Sequence, residues 1–282
     1  MVLSDQEVEY FITTVKNHSE YDFSGYSEKS LKRRILKVLN DYRVDLPTMI
    51  TKLRNDGLLV DEVVKNITVN TTELFRDPKV WQDLRFRILP EIGNNDKINI
   101  WHAGCSTGQE VYSLLILLYE LDLFDKATVV ATDLNEDALE TAKKGVYKYR
   151  FNIGYLDNFD KVVKENPFNY EEYNEVPYKK YFQVNKSADK LVMHDFLRDK
   201  PIYRKHDLVK GNQLYLAKFD LILCRNVIIY FKYDLQSQVF TLLYDHLYTN
   251  GYLLFGMHES MLGEMASKFE KKGNFYKKII ND

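Results

Sequence analysis

The sequence lacks most of the features that mark secreted, membrane-spanning and nucleic-acid-binding proteins. Its 282 residues include only two cysteines, Cys105 and Cys224, which lie too far apart to form a Cys-x2–4-Cys zinc pair. No apolar run approaches the ~18 residues of a transmembrane helix, and no basic region with an apolar core opens the chain. The formal net charge of −2 argues against a dedicated nucleic-acid binder. We therefore expect a cytoplasmic protein with reduced thiols, no metal, no nucleic-acid partner and no direct membrane insertion.

What the sequence does contain is enough apolar residues for a sizeable core, arranged in two different patterns. Apolar residues make up 45% of the chain and charged residues 28%. Residues 1–66 show helical periodicity without strand-like alternation, which predicts a small all-helical N-terminal domain and a candidate for substrate recognition. Residues 67–282 are predicted to form the larger domain, and a helix within it is expected to begin at Pro78 and stop at Pro90.

From Lys97 onward, predicted strands alternate with predicted helices. The strands fall at 98–102, 127–132, 202–206, 219–224 and 252–257, and the helices at about 108–120, 135–144 and 234–247. Such alternation is typical of an α/β protein with a parallel sheet covered on both faces. An insertion at about 154–200 interrupts the alternation and is expected to contain a short hairpin. A second hairpin is predicted over 268–280, with Gly273-Asn274 as its turn.

A glycine-bearing loop follows the first predicted strand and opens the next helix. Its sequence, Ala103-Gly104-Cys105-Ser106-Thr107-Gly108-Gln109-Glu110, matches neither the G-x-G-x-x-G nor the G-x-x-x-x-G-K-[ST] pattern. Glu110 would repel a pyrophosphate at this helix start, but it suits a cationic group such as the amino group of S-adenosylmethionine. Asp133 ends the second predicted strand, where its carboxylate could accept bonds from two ribose hydroxyls. The pair favours an adenosine-containing cofactor, although an ordinary tight turn with an acidic first helical turn would give the same loop.

Two further motifs, NTTELFRDP at 70–78 and FDLILCRNVIIYF at 219–231, carry polar residues next to apolar runs. The second motif is read as a buried strand that delivers Arg225, Asn226 and Tyr230 at its C-terminal edge, beside the glycine-bearing loop. Polar side chains in such a place are costly unless they form bonds. They are therefore candidates for ligand contacts, although Arg225 and Asn226 could instead cap the following turn.

With these motifs in view, the chain resembles the chemotaxis receptor methyltransferases, the CheR family. The resemblance rests on N-x-T-x-x-F-R, W-x-A-G-C-S-T-G-x-E-x-Y-S, A-T-D-[IL]-N and F-D-L-I-L-C-R-N-V-x-I-Y-F, which occur in that order between about residues 70 and 260. It implies a Rossmann-like class I methyltransferase sheet with a small all-helical N-terminal domain and a small β insertion. The insertion departs from the family's peptide-binding pattern, because 181–200 contains no glycine, which argues against tethering by a receptor's C-terminal peptide.

The resemblance also implies roles for individual residues. Two positions match family residues near the transferred methyl group, and they are the predicted catalytic residues Arg76 and Tyr230. The positions that match cofactor contacts are Asn70, Thr72, Arg76, Gly104, Glu110, Asp133, Asp207, Leu208, Arg225 and Asn226. Asp207 stands where the family has Asn, so it can accept a bond from the adenine amino group but cannot donate one. His102 and His206 match no catalytic position and are read as packing residues.

The implied reaction transfers a methyl group from S-adenosylmethionine to glutamate carboxylates of chemoreceptors, giving glutamate methyl esters and S-adenosylhomocysteine. The implied partner is the acidic helical cytoplasmic region of a receptor. A basic helix of the N-terminal domain could meet it through Lys29, Lys32, Arg33, Arg34 and Lys37, although a basic helix face is often only solvated surface. Two other readings stay open: a different protein as acceptor, and a non-catalytic module that binds S-adenosylmethionine.

Overall fold

The computed structural model describes residues 3–68, 72–150, 153–211 and 218–279. By contacts between residues, the chain separates into two compact units. The first, called here the helical unit, comprises Met1–Val69 and Val227–Phe240. The second, the sheet unit, comprises Asn70–Asn226 and Thr241–Asp282. The domain boundary between residues 66 and 67 stays a prediction, and the sequence did not indicate that 227–240 groups with the N-terminal residues.

Helices with well-defined caps build the N-terminal part of the helical unit. They are α1 (Asp5–His18), α2 (Glu28–Tyr42), α3 (Leu46–Asn55) and α4 (Gly57–Ile67). A capping box between Ser4 and Glu7 starts α1, and Asp45 caps α3 ahead of Pro47. The apolar residues that give residues 1–66 their helical periodicity are buried together in one core, whose members include Val8, Phe11, Val15, Leu31, Ile35, Val38, Met49, Ile50 and Leu53. The all-helical character predicted from periodicity is confirmed.

The second segment of the helical unit packs on residues 25–27 of the first. The backbone N–H of Ser27 donates to the carbonyl oxygen of Tyr230 at 2.8 Å, and Lys232 N–H donates to Gly25 O at 2.7 Å. The rings of Tyr26 and Phe231 meet edge to face with centroids 5.0 Å apart. Tyr230, one of the two predicted catalytic residues, therefore has its backbone fixed within the helical unit.

The core of the sheet unit is a seven-stranded sheet with the order β6-β2-β1-β7-β8-β10-β9. Its strands are β1 (Ile98–Ala103), β2 (Ala127–Asp133), β6 (Ile202–Lys205), β7 (Phe219–Cys224), β8 (Leu247–Phe255), β9 (Phe269–Lys272) and β10 (Phe275–Lys278). Pairing is parallel from β6 through β8, and β10 runs antiparallel to both of its neighbours. Because β1 pairs with β2 on one side and β7 on the other, the chain reverses its strand order there, and the carboxyl ends of these strands form the crevice in which open α/β folds bind ligands.

The strands and the terminal hairpin follow the predicted positions, with one shift. The strand predicted at 252–257 instead runs from Leu247 to Phe255. A separate three-stranded antiparallel sheet has the order β3-β5-β4, formed by β3 (Val146–Lys148), β4 (Phe182–Asn185) and β5 (Lys190–Met193). The predicted hairpin of the insertion is therefore confirmed as β4 and β5, and β3 joins it from before the insertion.

Helices precede, separate and follow the strands. They are α5 (Pro78–Asp83), α6 (Leu89–Ile92), α7 (Gln109–Glu120), α8 (Glu136–Lys144), α9 (Ile153–Phe159), α10 (Asp195–Arg198) and α11 (Tyr233–Asp245). The helix expected to stop at Pro90 does not stop there, because a π-helical turn at Leu84–Ile88 leads directly into α6. Pro90 lies in the first turn of α6, where proline is tolerated. In the described part of the chain, no helix is both long and apolar enough to cross a membrane.

Gly108, immediately before α7, combines two constraints that can be separated by mutation. Its φ is +89°, and a Cβ there would lie 2.7 Å from the Ala142 Cβ. Gly273, in the β9–β10 turn, has a φ of +64° but no atom within 4 Å of an added Cβ. We predict that Gly273→Ala lowers the free energy of unfolding by roughly 1–2 kcal/mol, the cost of the left-handed backbone. Gly108→Ala should lower it by roughly 2–5 kcal/mol, because overpacking is added.

Urea unfolding followed by tryptophan fluorescence measures this difference, since both tryptophans, Trp81 and Trp101, lie in the sheet unit. Equal losses in the two variants would contradict the predicted contribution from Ala142.

Candidate active site

The glycine-bearing loop between β1 and α7 is tied to the end of β2. The backbone N–H groups of Gly104 and Cys105 both donate to the carbonyl oxygen of Thr132, at 2.8 and 2.9 Å. Gly104 has a φ of +83°, which glycine adopts readily and other residues do not. Ser106, also left-handed, donates its N–H to Oδ2 of Asp133 at 2.7 Å. The loop that carries Gly104 and the strand end that carries Asp133 therefore form one connected structure.

Asp133 is held by backbone amides on both of its oxygens. Besides the Ser106 bond, Oδ1 accepts from Asn135 N–H at 2.9 Å. Burial raises the pKa of the Asp133 carboxyl, and the backbone amides oppose that rise. A carboxylate has about four acceptor positions, so the amide bonds do not exhaust its capacity. The side chain can accept further donors, such as hydroxyls.

The guanidinium of Arg225, directly after β7, is the centre of the site. Its Nη1 donates to Oε2 of Glu110 at 2.8 Å, and its Nη2 donates to Oδ2 of Asp77 at 2.9 Å and to the carbonyl oxygen of Arg76 at 3.0 Å. The side chain of Arg225 is 0% exposed. The residue therefore joins the 76–77 segment, the start of α7 and the end of β7. Removing one partner of such a buried pair typically costs about 3–5 kcal/mol.

The backbone of Arg76 is fixed from a second direction by Trp81. The indole Nε1 of Trp81 donates to the same Arg76 carbonyl at 2.9 Å, and the guanidinium carbon of Arg225 lies 5.5 Å from the Trp81 ring centroid. The Arg76 side chain is half-buried, and its charge lowers the pKa of Glu110. Arg76 and Glu110, which lie far apart in the sequence, are thus electrostatic neighbours in the site.

Glu110 and His102 face each other in a largely buried part of the arrangement. The Glu110 side chain is 13% exposed, and burial raises the pKa of its carboxyl against the opposing effect of Arg225. His102 Nδ1 lies 3.8 Å from Oε1 of Glu110. Burial, reinforced by the charge of Arg225, lowers the pKa of His102 to about 3. His102 is therefore neutral near pH 7 and a weak base, in agreement with its reading as a packing residue.

Several non-glycine residues in and beside this site have a left-handed backbone conformation. Phe75, Asp77, Ser106 and Asn226 have φ values of +52°, +60°, +52° and +59°. Such conformations cost about 1–3 kcal/mol each and persist only where the surroundings enforce them. Side-chain acceptors hold the N–H groups of three of these residues at 2.7 Å: Ser113 Oγ for Phe75, Asp133 Oδ2 for Ser106 and Glu259 Oε2 for Asn226.

Asp77, Ser113 and Glu259 were missed when the sequence was analysed. Asp77 stands inside the NTTELFRDP motif, and its acidic side chain next to Arg76 was the one available signal. No local pattern distinguishes Ser113, within α7, or Glu259, in the loop after β8, from an ordinary helix or loop residue.

The remaining predicted cofactor residues have more local contacts. The carbonyl oxygen of Thr72 accepts a bond from Tyr155 Oη at 3.1 Å. Asp207 Oδ1 accepts from Val209 N–H at 2.8 Å, which closes a turn around the half-buried Leu208. Asn70 lies outside the described residues. Within those residues, no group of three or more His, Cys, Asp or Glu side chains is arranged to hold a metal ion.

The predicted basic face lies on α2 of the helical unit. Lys29, Arg33 and Lys37 are exposed, whereas Lys32 and Arg34 are partly buried. Lys37 pairs with Asp41 at 2.6 Å, and Lys32 pairs with Asp5. Among the described residues, Lys29 and Arg33 form no ion pair, so the exposed charge of α2 is concentrated on these two side chains.

Comparisons with known proteins identify the class as S-adenosylmethionine-dependent methyltransferases. Residues 70–154 and 161–276 match the CheR methyltransferase SAM binding domain, and residues 6–68 match the CheR methyltransferase all-alpha domain. Because these matches span most of the chain, the protein belongs to the CheR methyltransferase family.

Individual relatives agree with this assignment over nearly their full lengths. The methyltransferase Cher3 of Pseudomonas putida is 31% identical over 269 residues, covering 95% of this chain and 93% of the relative. A chemotaxis protein methyltransferase of Listeria innocua is 29% identical over 270 residues, covering 95% of each chain. One of Vibrio anguillarum is 28% identical over 280 residues, covering 96% of this chain and 94% of the relative.

These findings confirm the family resemblance, the class I methyltransferase fold with its helical N-terminal domain and small β sheet, and S-adenosylmethionine as the cofactor. The residues of the site fit that cofactor. The buried carboxylate of Glu110 suits a cationic amino group, and Asp133 retains acceptor capacity for hydroxyls. In addition, Ser106 Oγ is buried and has no hydrogen-bond partner among the described residues. The roles assigned to individual residues stay predictions.

Proposed function

We propose that this protein is a protein-glutamate O-methyltransferase that methylates glutamate side chains of chemoreceptors for sensory adaptation. The observation that carries the proposal is the buried network in which Arg225 holds both Glu110 and the 76–77 segment. It brings a carboxylate suited to the cofactor and the residue proposed to orient the acceptor, Arg76, to one edge of the sheet unit. The names of the Listeria and Vibrio relatives support a role in chemotaxis.

Residues of the sheet unit would hold the cofactor. We assign the amino end to Glu110, the ribose to Asp133 and the adenine region to Asp207 and Leu208, with Asn70, Thr72, Gly104, Arg225 and Asn226 as further contacts. When bound, S-adenosylmethionine supplies a methyl group on a positively charged sulfonium and leaves as S-adenosylhomocysteine. Asp133 and Glu110 both have pKa values raised by burial, so each binds best when the pH is high enough to ionise it.

The acceptor side of the site needs orientation more than acid–base help. A glutamate carboxylate is already ionised at neutral pH, so no general base is required, and a neutral His102 is no obstacle. Arg76 would hold the incoming carboxylate by a two-point bond, and Tyr230 would donate one hydrogen bond to it. Holding an oxygen at near-attack distance in the correct direction is the main catalytic task in such a reaction.

The exposed charge of α2 supports an acidic protein partner. Lys29, Arg33 and Lys37 recur every fourth residue and share one exposed face. We propose that this face steers the acidic helical region of a receptor toward the enzyme, and that the reaction takes place in the cytoplasm. The free, buried thiols of Cys105 and Cys224 accord with a reducing compartment.

The first prediction from the proposed function concerns the product. Incubation with methyl-labelled S-adenosylmethionine and receptor-containing membranes from the same source should give label that mild base releases, because methyl esters are base-labile. Arg76→Ala should lower the transfer rate by about 100-fold, because the acceptor loses its orientation. Arg87→Ala, which removes an exposed arginine eleven residues further along the chain, is the matched control and should transfer at the wild-type rate.

Each alternative reading has its own outcome in this assay. Base-stable label would show that the acceptor group is not a carboxylate. Ester formed only on a soluble protein would favour an acceptor other than a chemoreceptor. Cofactor binding without transfer to any fraction would favour the non-catalytic module.

The second prediction concerns pH. Because burial raises the pKa of Glu110, affinity for S-adenosylhomocysteine should fall as the pH is lowered through that pKa, by up to tenfold for each pH unit. Titration of Glu110 does not cause this fall in affinity by unfolding the protein. A carboxyl whose pKa is higher in the folded than in the unfolded state stabilises the fold most at low pH and less as the pH rises. Titration calorimetry between pH 5 and 8, with S-adenosylhomocysteine as the ligand, measures the effect.

Glu110→Gln is the control for this titration. It should bind more weakly at the pH values at which wild-type Glu110 is ionised, approach the wild-type affinity at low pH, and show a smaller pH dependence. The pH dependence that remains comes from Asp133, because burial raises the pKa of its carboxyl as well. Parallel pH profiles for wild type and Glu110→Gln would remove Glu110 from the proposed cofactor contacts.

The third prediction concerns the partner. The double variant Lys29→Glu/Arg33→Glu should raise the KM for receptor about tenfold at low ionic strength and weaken its salt dependence, with cofactor affinity unchanged. Lys271→Glu/Lys272→Glu reverses the same number of charges on the exposed β9 strand of the sheet unit and should change KM little. Equal effects of the two double variants would mean that net charge, and not the α2 face, governs the encounter.

A further inference from the structure

Glu259 is a buried acid whose bond to Asn226 was described above but which has so far been given no role in the site. It lies in the loop after β8 and is 7% exposed. Its Oε2 accepts the backbone N–H of Asn226 at 2.7 Å and that of Gly256 at 2.8 Å. Gly256 directly follows β8, and Asn226 lies two residues beyond β7. One carboxylate oxygen thus links the carboxyl ends of two adjacent parallel strands, whose last residues, Cys224 and Phe255, are paired.

The backbone that Glu259 binds is one that needs support. Asn226 has a φ of +59°, a left-handed conformation that residues with a Cβ seldom adopt. A hydrogen bond from its N–H to a charged acceptor is stronger than one to a neutral acceptor. The fit is also tight, because a Cβ on Gly256 would lie 2.9 Å from both Asn226 Nδ2 and Glu259 Oε2. Glu259 therefore fixes the conformation from which Arg225 and Asn226 project.

The hydrogen bonds of Glu259 indicate that it positions the backbone and takes no direct part in methyl transfer. The oxygen described above already accepts two backbone amides, and both belong to the chain ends that carry the site. Glu259 also acts on Glu110 through space, since its negative charge raises the pKa of Glu110 while Arg225 and Arg76 lower it. His102 also faces Glu110 and is neutral near pH 7. The thiols of Cys105 and Cys224 are close enough to be affected by Glu110, and burial raises the pKa of both, so they stay protonated near pH 7.

We propose that Glu259 is a positioning residue of the methyltransfer site: it holds Asn226 in the left-handed conformation and thereby directs Arg225 toward Glu110 and Asn226 toward the cofactor. The inference rests on the proposed function, because it treats Glu110 and Asn226 as cofactor contacts.

The test compares Glu259→Gln with Asp220→Asn. Asp220 is another buried acid, 9% exposed, and it also accepts a backbone N–H, that of Asn99, at 2.8 Å. It lies at the opposite end of β7, near the start of the strand. Both variants should lower the thermal unfolding temperature. Glu259→Gln alone should weaken S-adenosylhomocysteine binding about tenfold, raise the KM for S-adenosylmethionine with the KM for receptor unchanged, and move the pH dependence of binding to lower pH because a negative charge near Glu110 is lost.

Two results would overturn the proposal: equal cofactor affinity of folded wild type and Glu259→Gln, or the same loss of affinity in Asp220→Asn. If Glu259→Gln does not fold, Gly256→Ala makes the same test from the other side, because its methyl group would displace Asn226 and Glu259 together; unchanged affinity in this variant would likewise overturn the proposal. Failure of the proposed function is distinguishable, since wild-type protein would then bind no S-adenosylhomocysteine or transfer no methyl group.

Discussion

The candidate site depends on one buried guanidinium. Arg225 is fully enclosed, so its charge is tolerated only because Glu110, Asp77 and the carbonyl of Arg76 accept its N–H groups. The planar fork of arginine reaches two carboxylates at once, which the single ammonium of lysine would not do. The segment before α5, the first turn of α7 and the end of β7 are therefore held in one arrangement by a single side chain.

A second constraint follows from the first, because chain ends that converge so closely cannot all keep ordinary backbone conformations. Phe75, Asp77, Ser106 and Asn226 are left-handed without being glycine, and three of them donate their N–H groups to side chains of other elements. The strained backbone conformations and the hydrogen bonds that stabilise them lie at the same edge of the sheet. Such preorganisation is what a reaction limited by orientation requires.

The sequence predicts what local patterns determine. Apolar runs gave β1, β2, β6 and β7 nearly to the residue, and the stripes at 3.6-residue spacing gave the core of α1, α2 and α3, because both signals arise from neighbours in the chain. The motifs also placed Glu110, Asp133 and Arg225 at one edge, since parallel strands end together. Hydrogen bonds between residues that are far apart in the sequence leave no such local pattern.

The contacts of Arg225 with Asp77 and of Asn226 with Glu259 cross 148 and 33 positions of the chain, and a carboxylate that accepts backbone amides looks like any other acid in a sequence. Passage of the helix through Pro90 and the grouping of 227–240 with the helical unit are likewise set by packing. The resemblance supplied the predicted cofactor contacts one position at a time. The structure adds that both terminal nitrogens of Arg225 donate hydrogen bonds to protein groups.

The hydrogen bonds of Arg225 to protein groups help to explain how one site could bind both a cationic cofactor and an anionic acceptor. Arg225 lies between Glu110 and Asp77, Arg76 is close enough to lower the pKa of Glu110, and Glu259 is close enough to raise it. Positive and negative side chains are therefore mixed at this site. Under the proposed function, a cationic cofactor and an anionic acceptor must both be bound without either being repelled, and their charges are lost as the methyl group moves. A strongly acidic or strongly basic pocket would stabilise one of them at the expense of the other. A network of mixed charge avoids this, because carboxylates and guanidinium groups lie side by side and a ligand charge of either sign can meet an opposite charge.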